Sequence, residues 1–167
     1  MSMSTIPTEA ETRANLIDRQ LDNAGWSVAR GNLLSELPLS TSQAGELHAP
    51  YQADTEYSDY ALLGRDHNLI AIVEAKRTSR DALAGKRQAS DYADRIHAQN
   101  GVEPFIFLAN GETIWFWDRE RSAPRKVSGF FTLYDLERVL FQREHRLVSN
   151  FLQTKIFGRN QKRAQGI

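Results

Sequence analysis

The fold is decided by residues 59–76, DYALLGRDHNLIAIVEAK. Two apolar runs of strand length flank Arg65, Asp66, His67 and Asn68, the pattern of a β-hairpin with a four-residue loop. Pairing Gly64 with Leu69 sets Asp59 directly across from Glu74. Opposed antiparallel residues carry their Cβ atoms about 4.5–5.5 Å apart. Lys76 follows Glu74 by two residues and projects from the same face. Two acids and a lysine therefore converge on one patch at the end of an apolar sheet.

Two carboxylates this close repel unless a proton or a cation lies between them. Hard oxygen ligands with no His or Cys beside them select Mg²⁺, or Mn²⁺ in its place, rather than zinc. A magnesium held in this way keeps several waters and accepts a phosphate oxygen, as phosphodiester hydrolysis requires. Lys76 would orient or deprotonate the attacking water and offset charge on the phosphorus. The reaction class that fits is metal-assisted hydrolysis of a phosphodiester. The plainer reading is a surface salt bridge from Lys76 to Glu74 or Asp59.

On the N-terminal side, Thr8 and Glu11 form a capping box. Leu16, Ile17, Leu21 and Ala24 continue as one apolar stripe until Gly25 stops the helix. At 100° per residue, Glu9 and Arg13 share the side of that stripe and Glu11 points away. An inward carboxylate at Glu9 needs a partner, either Arg13 or a metal. Residues 31–58, broken by Gly31, Pro38, Gly45 and Pro50, read as irregular.

On the C-terminal side, Thr78 and Ser79 offer N-caps for a helix running to about Gln99 and closed by Asn100 and Gly101. Gln88 and Tyr92 are four apart and share a face that Ile96 continues. Phe105–Ala109 and Thr113–Trp117 flank Asn110, Gly111 and Glu112, a second hairpin. Trp115, Phe116 and Trp117 alternate across that strand, so at least one ring faces away from the core. Burial against a neighbouring segment is favoured over stacking on a base. A last helix opens at Thr132 and carries Leu136, Val139, Leu140, Leu147 and Val148. The order helix, hairpin, helix, hairpin, helix predicts an α/β architecture, a mixed central sheet flanked by helices.

Composition bounds the alternatives. The chain has 167 residues, 41% hydrophobic and 25% charged, the profile of one ordinary globular domain. Cysteine is absent, which excludes disulfide scaffolds, thiolate zinc sites and cysteine nucleophiles. No apolar run approaches the ~20 residues that span a bilayer. The start, MSMSTIPTEAE, lacks the basic and apolar regions of a secretory signal, so a cytoplasmic location is expected. Net charge is zero but unevenly spread: residues 1–60 carry three Arg against nine acids, whereas residues 138–167 carry seven cations against Glu144 alone. That asymmetry suits either a nucleic-acid contact or a solvated basic helix. His48, His67, His97 and His145 show no ligand spacing.

Together these motifs resemble the amino-terminal nuclease domain of the motor (R) subunit of type I restriction enzymes, a member of the PD-(D/E)xK superfamily. The likeness runs through TEAETRANLIDRQLDNAGW, YSDYALL, LIAIVEAK, GKRQASDYADRI and PFIFLANGETIWFWD. An acidic first helix, an Asp opening the hairpin, an (D/E)xK and a QxxxY helix follow one another in the family's order. The superfamily's variable proline before the Asp is Ser58 here.

The resemblance implies a PD-(D/E)xK, restriction endonuclease-like fold over residues 1–150. Residues 151–167 would then be a basic linker towards a motor domain. It implies that Asp59, Glu74 and the backbone carbonyl of Ala75 bind Mg²⁺, with Glu9 as the first-helix acid. Lys76 would be the catalytic lysine, while Gln88 and Tyr92 position the DNA backbone or the metal. Arg77, Arg80, Lys86 and Arg87 lie beside this site and could bind phosphates. The implied partners are double-stranded DNA and the modification and specificity subunits of the restriction complex. No GxxxxGK[ST] phosphate loop occurs in the sequence, so ATP would act only on a motor beyond it. The chain is accordingly expected to be a fragment ending at the motor boundary. A self-standing nuclease and a non-catalytic module for docking DNA or subunits are the alternatives.

Overall fold

A computed structural model of the chain describes residues 8–38 and 57–145. The chain divides into two compact units, Met1–Leu133 and Tyr134–Ile167. The expected linker over 151–167 lies outside the described residues.

The first unit is built on a mixed sheet that has six strands among the described residues, in the order β1 to β6. These are β1 (Leu33–Pro38), β2 (Tyr57–Leu63), β3 (Leu69–Ala75), β4 (Phe105–Ala109), β5 (Ile114–Trp117) and β6 (Arg125–Val127). Only β3 and β4 run parallel, joined across the helix α3 (Lys86–Asn100); every other neighbouring pair is antiparallel. A strand covered on both faces reads as an unbroken apolar run. That is why LIAIV of β3 and FIFLA of β4 are buried from Ile70 to Ala75 and from Phe105 to Ala109.

One face of the sheet packs Ile72, Ile106 and Leu108 against Ala89, Tyr92, Ala93 and Ile96 of α3, with Trp115 and Trp117 at the margin. The two tryptophans are therefore half-buried on the α3 side, as burial of the aromatic run required, and Phe116 is buried on the other. On that second face Phe107 and Phe116 meet Phe130 and Phe131 at ring centroid separations of 4.7–5.7 Å. The N-terminal helical segment covers the same face: Tyr60 donates to Asp18 at 2.6 Å and Trp26 Nε1 donates to the Phe131 carbonyl at 2.8 Å.

That segment departs from the expected single helix. It comprises α1 (Glu9–Thr12), a π-helical stretch Arg13–Ile17, and α2 (Asp18–Asn23). The wider turn delays the following residues, so a projection at 100° per residue does not carry across it. Among its described side chains the buried ones are Thr12, Ile17 and Leu21. The capping box forms as expected, Thr8 N donating to Glu11 Oε2 at 2.8 Å and Glu11 N to Thr8 Oγ1 at 3.2 Å.

Three further expectations are corrected. Residues 33–38, expected to be irregular, form β1 against β2, and the short edge strand β6 was also unforeseen. The helix after Lys76 does not begin at Thr78 or Ser79. A 3-10 turn, Ala82–Gly85, capped by Asp81, precedes α3, and the hydroxyl of Thr78 instead lies 3.2 Å from that of Thr12. In the first hairpin Leu63, not Gly64, pairs with Leu69, and a register shift beside this pair follows. The two offsets cancel, leaving Tyr60 opposite Val73 and, one step on, Asp59 opposite Glu74. The second hairpin matches its expectation, with Ala109 opposite Ile114 and Gly111 at a φ of 87° in the loop.

Of the second unit the described residues are 134–145, all of them helical. No helix among the described residues is long and apolar enough to cross a membrane.

Candidate active site

The site forms where β3 runs out. Glu74, opposite Leu108 of β4, is the penultimate residue of the strand. Its side chain points to the α3 face and is only 2% exposed. A carboxylate at that depth needs a counter-charge and hydrogen bonds to remain ionised. Lys76 supplies both, its Nζ lying 2.6 Å from Oε1 of Glu74. The chain turns away directly afterwards, and Lys76 N donates to the Ala109 carbonyl at 2.8 Å, which closes the strand.

The surface salt bridge foreseen as the plainer reading thus exists between Lys76 and Glu74, yet it is not a surface pair. The lysine side chain is 17% exposed and roofed by α3. From that helix Gln88 Oε1 accepts a second hydrogen bond from Lys76 Nζ at 3.1 Å. Gln88 Nε2 donates in turn to the hydroxyl of Tyr92 at 3.1 Å, one helical turn further on. The amide of Gln88 is thereby oriented: Tyr92 takes its nitrogen end, which leaves the oxygen for the ammonium. Tyr92 is 1% exposed and belongs to the core cluster, so it serves both packing and this chain of bonds.

Asp59 arrives from β2. Its Oδ2 accepts the backbone N–H of Ala75 at 2.6 Å, which anchors the carboxylate between Glu74 and Lys76 in sequence. Across the other edge of β2, the β1 ladder skips Glu36, which stands opposite Asp59 with a φ of 56° and breaks the pairing there. A left-handed Glu is uncommon and marks a local irregularity beside the site.

Asp59, Glu74, Lys76, Gln88 and Tyr92 are therefore brought together at the end of β3. Arg77, Arg80, Lys86 and Arg87 are exposed on the segment that leaves it. Lys86 Nζ lies 4.9 Å from the centre of the Trp117 ring. Asn110 Nδ2 donates to the Arg80 carbonyl at 2.7 Å, so the second hairpin loop braces this segment. The side chains of Glu9 and Arg13 lie outside the description. The helix carrying them is tied to the site through Thr12, whose Oγ1 accepts the Thr78 N–H at 3.3 Å.

Gly85 was missed by the sequence reading. It sits at the junction of the 3-10 turn and α3, and its Cα faces Glu74. A close approach of helix to strand was the only signal for it, and one sequence does not display that.

No family model matches the chain, and no curated protein matches it. Among solved structures the chain is similar to a fragment described as an HsdR subunit of a type I restriction enzyme from Vibrio vulnificus. The two superpose with a TM-score of 0.65 at 25% sequence identity, over 82% of this chain and 26% of that one. This chain thus spans about a quarter of its neighbour's length. The relation to HsdR-like restriction enzymes is supported at the level of the α/β architecture.

Proposed function

We propose that this chain is the nuclease domain of a type I restriction enzyme R subunit, a Mg²⁺-dependent endonuclease of the PD-(D/E)xK fold. In this reading it hydrolyses DNA phosphodiesters after ATP-driven translocation by a motor that lies outside this sequence. The observation that carries the reading is the Lys76 ammonium held between Glu74 and Gln88, with Asp59 anchored at Ala75, inside an HsdR-like framework.

The donor set suits magnesium. Asp59 and Glu74 offer hard carboxylate oxygens, and the Ala75 carbonyl stands at the end of β3 as a third. Among the described residues no three His, Cys, Asp or Glu converge. Few protein ligands are what magnesium needs, because it keeps waters and takes substrate phosphates. When bound, such an ion supplies Lewis-acid polarisation of the phosphate and lowers the pKa of a bound water. The chain's own part is preorganisation. Asp59 is held by a main-chain donor, Glu74 is fixed by burial, and Lys76 carries a positive charge against developing negative charge at phosphorus. Gln88, oriented by Tyr92, keeps that ammonium at the site. Arg77, Arg80, Lys86 and Arg87 would hold duplex DNA by its phosphates. The modification and specificity subunits are the expected protein partners.

The test is a Mn²⁺ titration by calorimetry on wild type and Asp59→Ala, alone and with a short DNA duplex. Binding in wild type, strengthened by duplex and lost in the variant, is the expected result. Absence of binding in wild type under both conditions refutes the nuclease reading and leaves a docking module.

A further inference from the structure

Gly85 has a φ of −79° and a ψ of −4°. Any residue adopts that conformation, so the backbone gives no reason for glycine here. Alanine at such a position ordinarily stabilises a protein by restricting the unfolded chain. The reason must then be space. A Cβ built on Gly85 would lie 2.6 Å from Cγ of Glu74, 3.3 Å from Cε of Lys76 and 3.7 Å from Cβ of Glu74. All three nearest atoms belong to the two charged residues of the site. The lysine end is flexible and could yield. Cγ of Glu74 is one bond from a Cβ fixed in a central strand, and its side chain is buried, so it has nowhere to retreat.

We propose that Gly85 is a positioning residue of the site: its bare Cα lets the start of α3 press on Glu74 and Lys76, which leaves the carboxylate one direction to point. Gln88, three residues on, reaches Lys76 only because the helix begins this close. The consequence for metal binding rests on the nuclease reading above, whereas the packing itself does not.

The experiment compares Gly85→Ala with wild type and with Gly129→Ala, a control whose added Cβ would meet nothing within 4 Å. Each protein is checked for folding by circular dichroism and titrated with Mn²⁺ in the presence of a short duplex. Folded Gly85→Ala is expected to bind Mn²⁺ about tenfold or more weakly, the usual effect of disturbing a residue that orients a ligand. Gly129→Ala should match wild type. Unchanged affinity in folded Gly85→Ala overturns the proposal. In a second arm, Gly85→Ala is made in wild-type and Glu74→Ala backgrounds, and melting temperatures are compared. The loss of stability seen with Glu74 present should vanish without it, and equal losses in both backgrounds overturn the proposal. Should wild type bind no Mn²⁺ at all, the nuclease reading fails by itself, and this second arm decides the role of Gly85.

Discussion

The carboxylate of Asp59 accepts the backbone N–H of Ala75 at 2.6 Å, so the acid of one strand is fastened to the main chain of the next. A charged acceptor on a backbone donor contributes about 1.5–3 kcal/mol. Structure and chemistry can be separated at this residue. Asp59→Asn keeps an oxygen for the Ala75 N–H and loses the charge. Asp59→Ala loses both. Denaturant midpoints should therefore stay near wild type in the first and fall in the second, while Mn²⁺ binding disappears in each. Equal destabilisation of both variants would show that the hydrogen bond contributes little.

Lys76 carries a different expectation. A lysine paired at the surface can be removed at almost no cost. Here its partner Glu74 is 2% exposed, and deletion strips a buried carboxylate of its nearest positive charge. Losing one member of a fully buried pair costs about 3–5 kcal/mol, and the partial exposure of Lys76 places it lower, at roughly 2–3 kcal/mol. Lys76→Ala should thus lower the urea midpoint, and on the nuclease reading proposed above it should also abolish DNA cleavage. An unchanged midpoint would show that the ammonium of Lys76 contributes little to holding Glu74 in the fold.

Tyr92 acts on Lys76 through the amide of Gln88. Tyr92→Phe preserves ring volume in the core and removes the acceptor for Gln88 Nε2, so the amide is free to turn its nitrogen towards the ammonium. Stability should drop by only about 1 kcal/mol. On the nuclease reading proposed above, cleavage should fall about tenfold or more, in the range found when outer partners of a site are removed. The turnover number should carry the loss, with KM for DNA unchanged. A fall confined to KM would instead assign Tyr92 to DNA binding.

What could be read from the sequence follows from which signals are local. The hairpin at 59–76 was legible because two apolar runs and a polar loop specify it without help. Its register survived an error at the loop, since the shift between Leu62 and Leu63 restored the pairing before Asp59 was reached. β1 was hidden because its residues, LLSELP, alternate poorly and contain a proline, and it forms only by pairing with β2. The π-helical stretch at Arg13–Ile17 was invisible for a related reason: no residue type announces it, and the projection of Glu9 and Arg13 depended on its absence. The start of α3 was misplaced because Thr78 is a good cap by composition, yet its backbone N–H is taken up by Thr12. In the site, Gln88 and Tyr92 were legible from helical spacing, while Gly85 answers to a tertiary approach.

Away from the site, Arg119 binds α3 to the loop that precedes β4. It donates to Glu103 Oε1 at 2.6 Å, to the carbonyl and hydroxyl oxygens of Ser90 at 2.8 and 2.9 Å, and to Asp94. Its side chain is 16% exposed, so the bonds to Glu103 and Ser90 are largely shielded, whereas the one to the exposed Asp94 is open to solvent. Arg119→Ala should cost roughly 1.5–3 kcal/mol in a denaturant titration. Mn²⁺ affinity should be kept where the variant is folded, because the contacts lie beyond Gln88 along α3. A variant that loses metal binding while still folded would couple this clamp to the site.

The capping box provides a pH signature. The Thr8 N–H, and then the Thr8 hydroxyl, hold the Glu11 carboxyl below its ordinary value of 4.5. A carboxylate with a depressed folded pKa adds stability above that ordinary value, which the unfolded chain keeps, and the stability is lost as the pH falls through the folded value. Glu11→Gln keeps an acceptor for the Thr8 N–H and removes the titration. Wild type should therefore melt above the variant at neutral pH. The gap should begin to close near pH 4.5 and vanish in stronger acid. Thermal unfolding of both proteins from pH 7 to pH 3 measures it. Because Glu11 is exposed, the gap should also shrink as salt is raised at neutral pH, when screening weakens the charge at the helix start. A gap that persists undiminished at pH 3 would show that Glu11 acts through packing rather than through its charge.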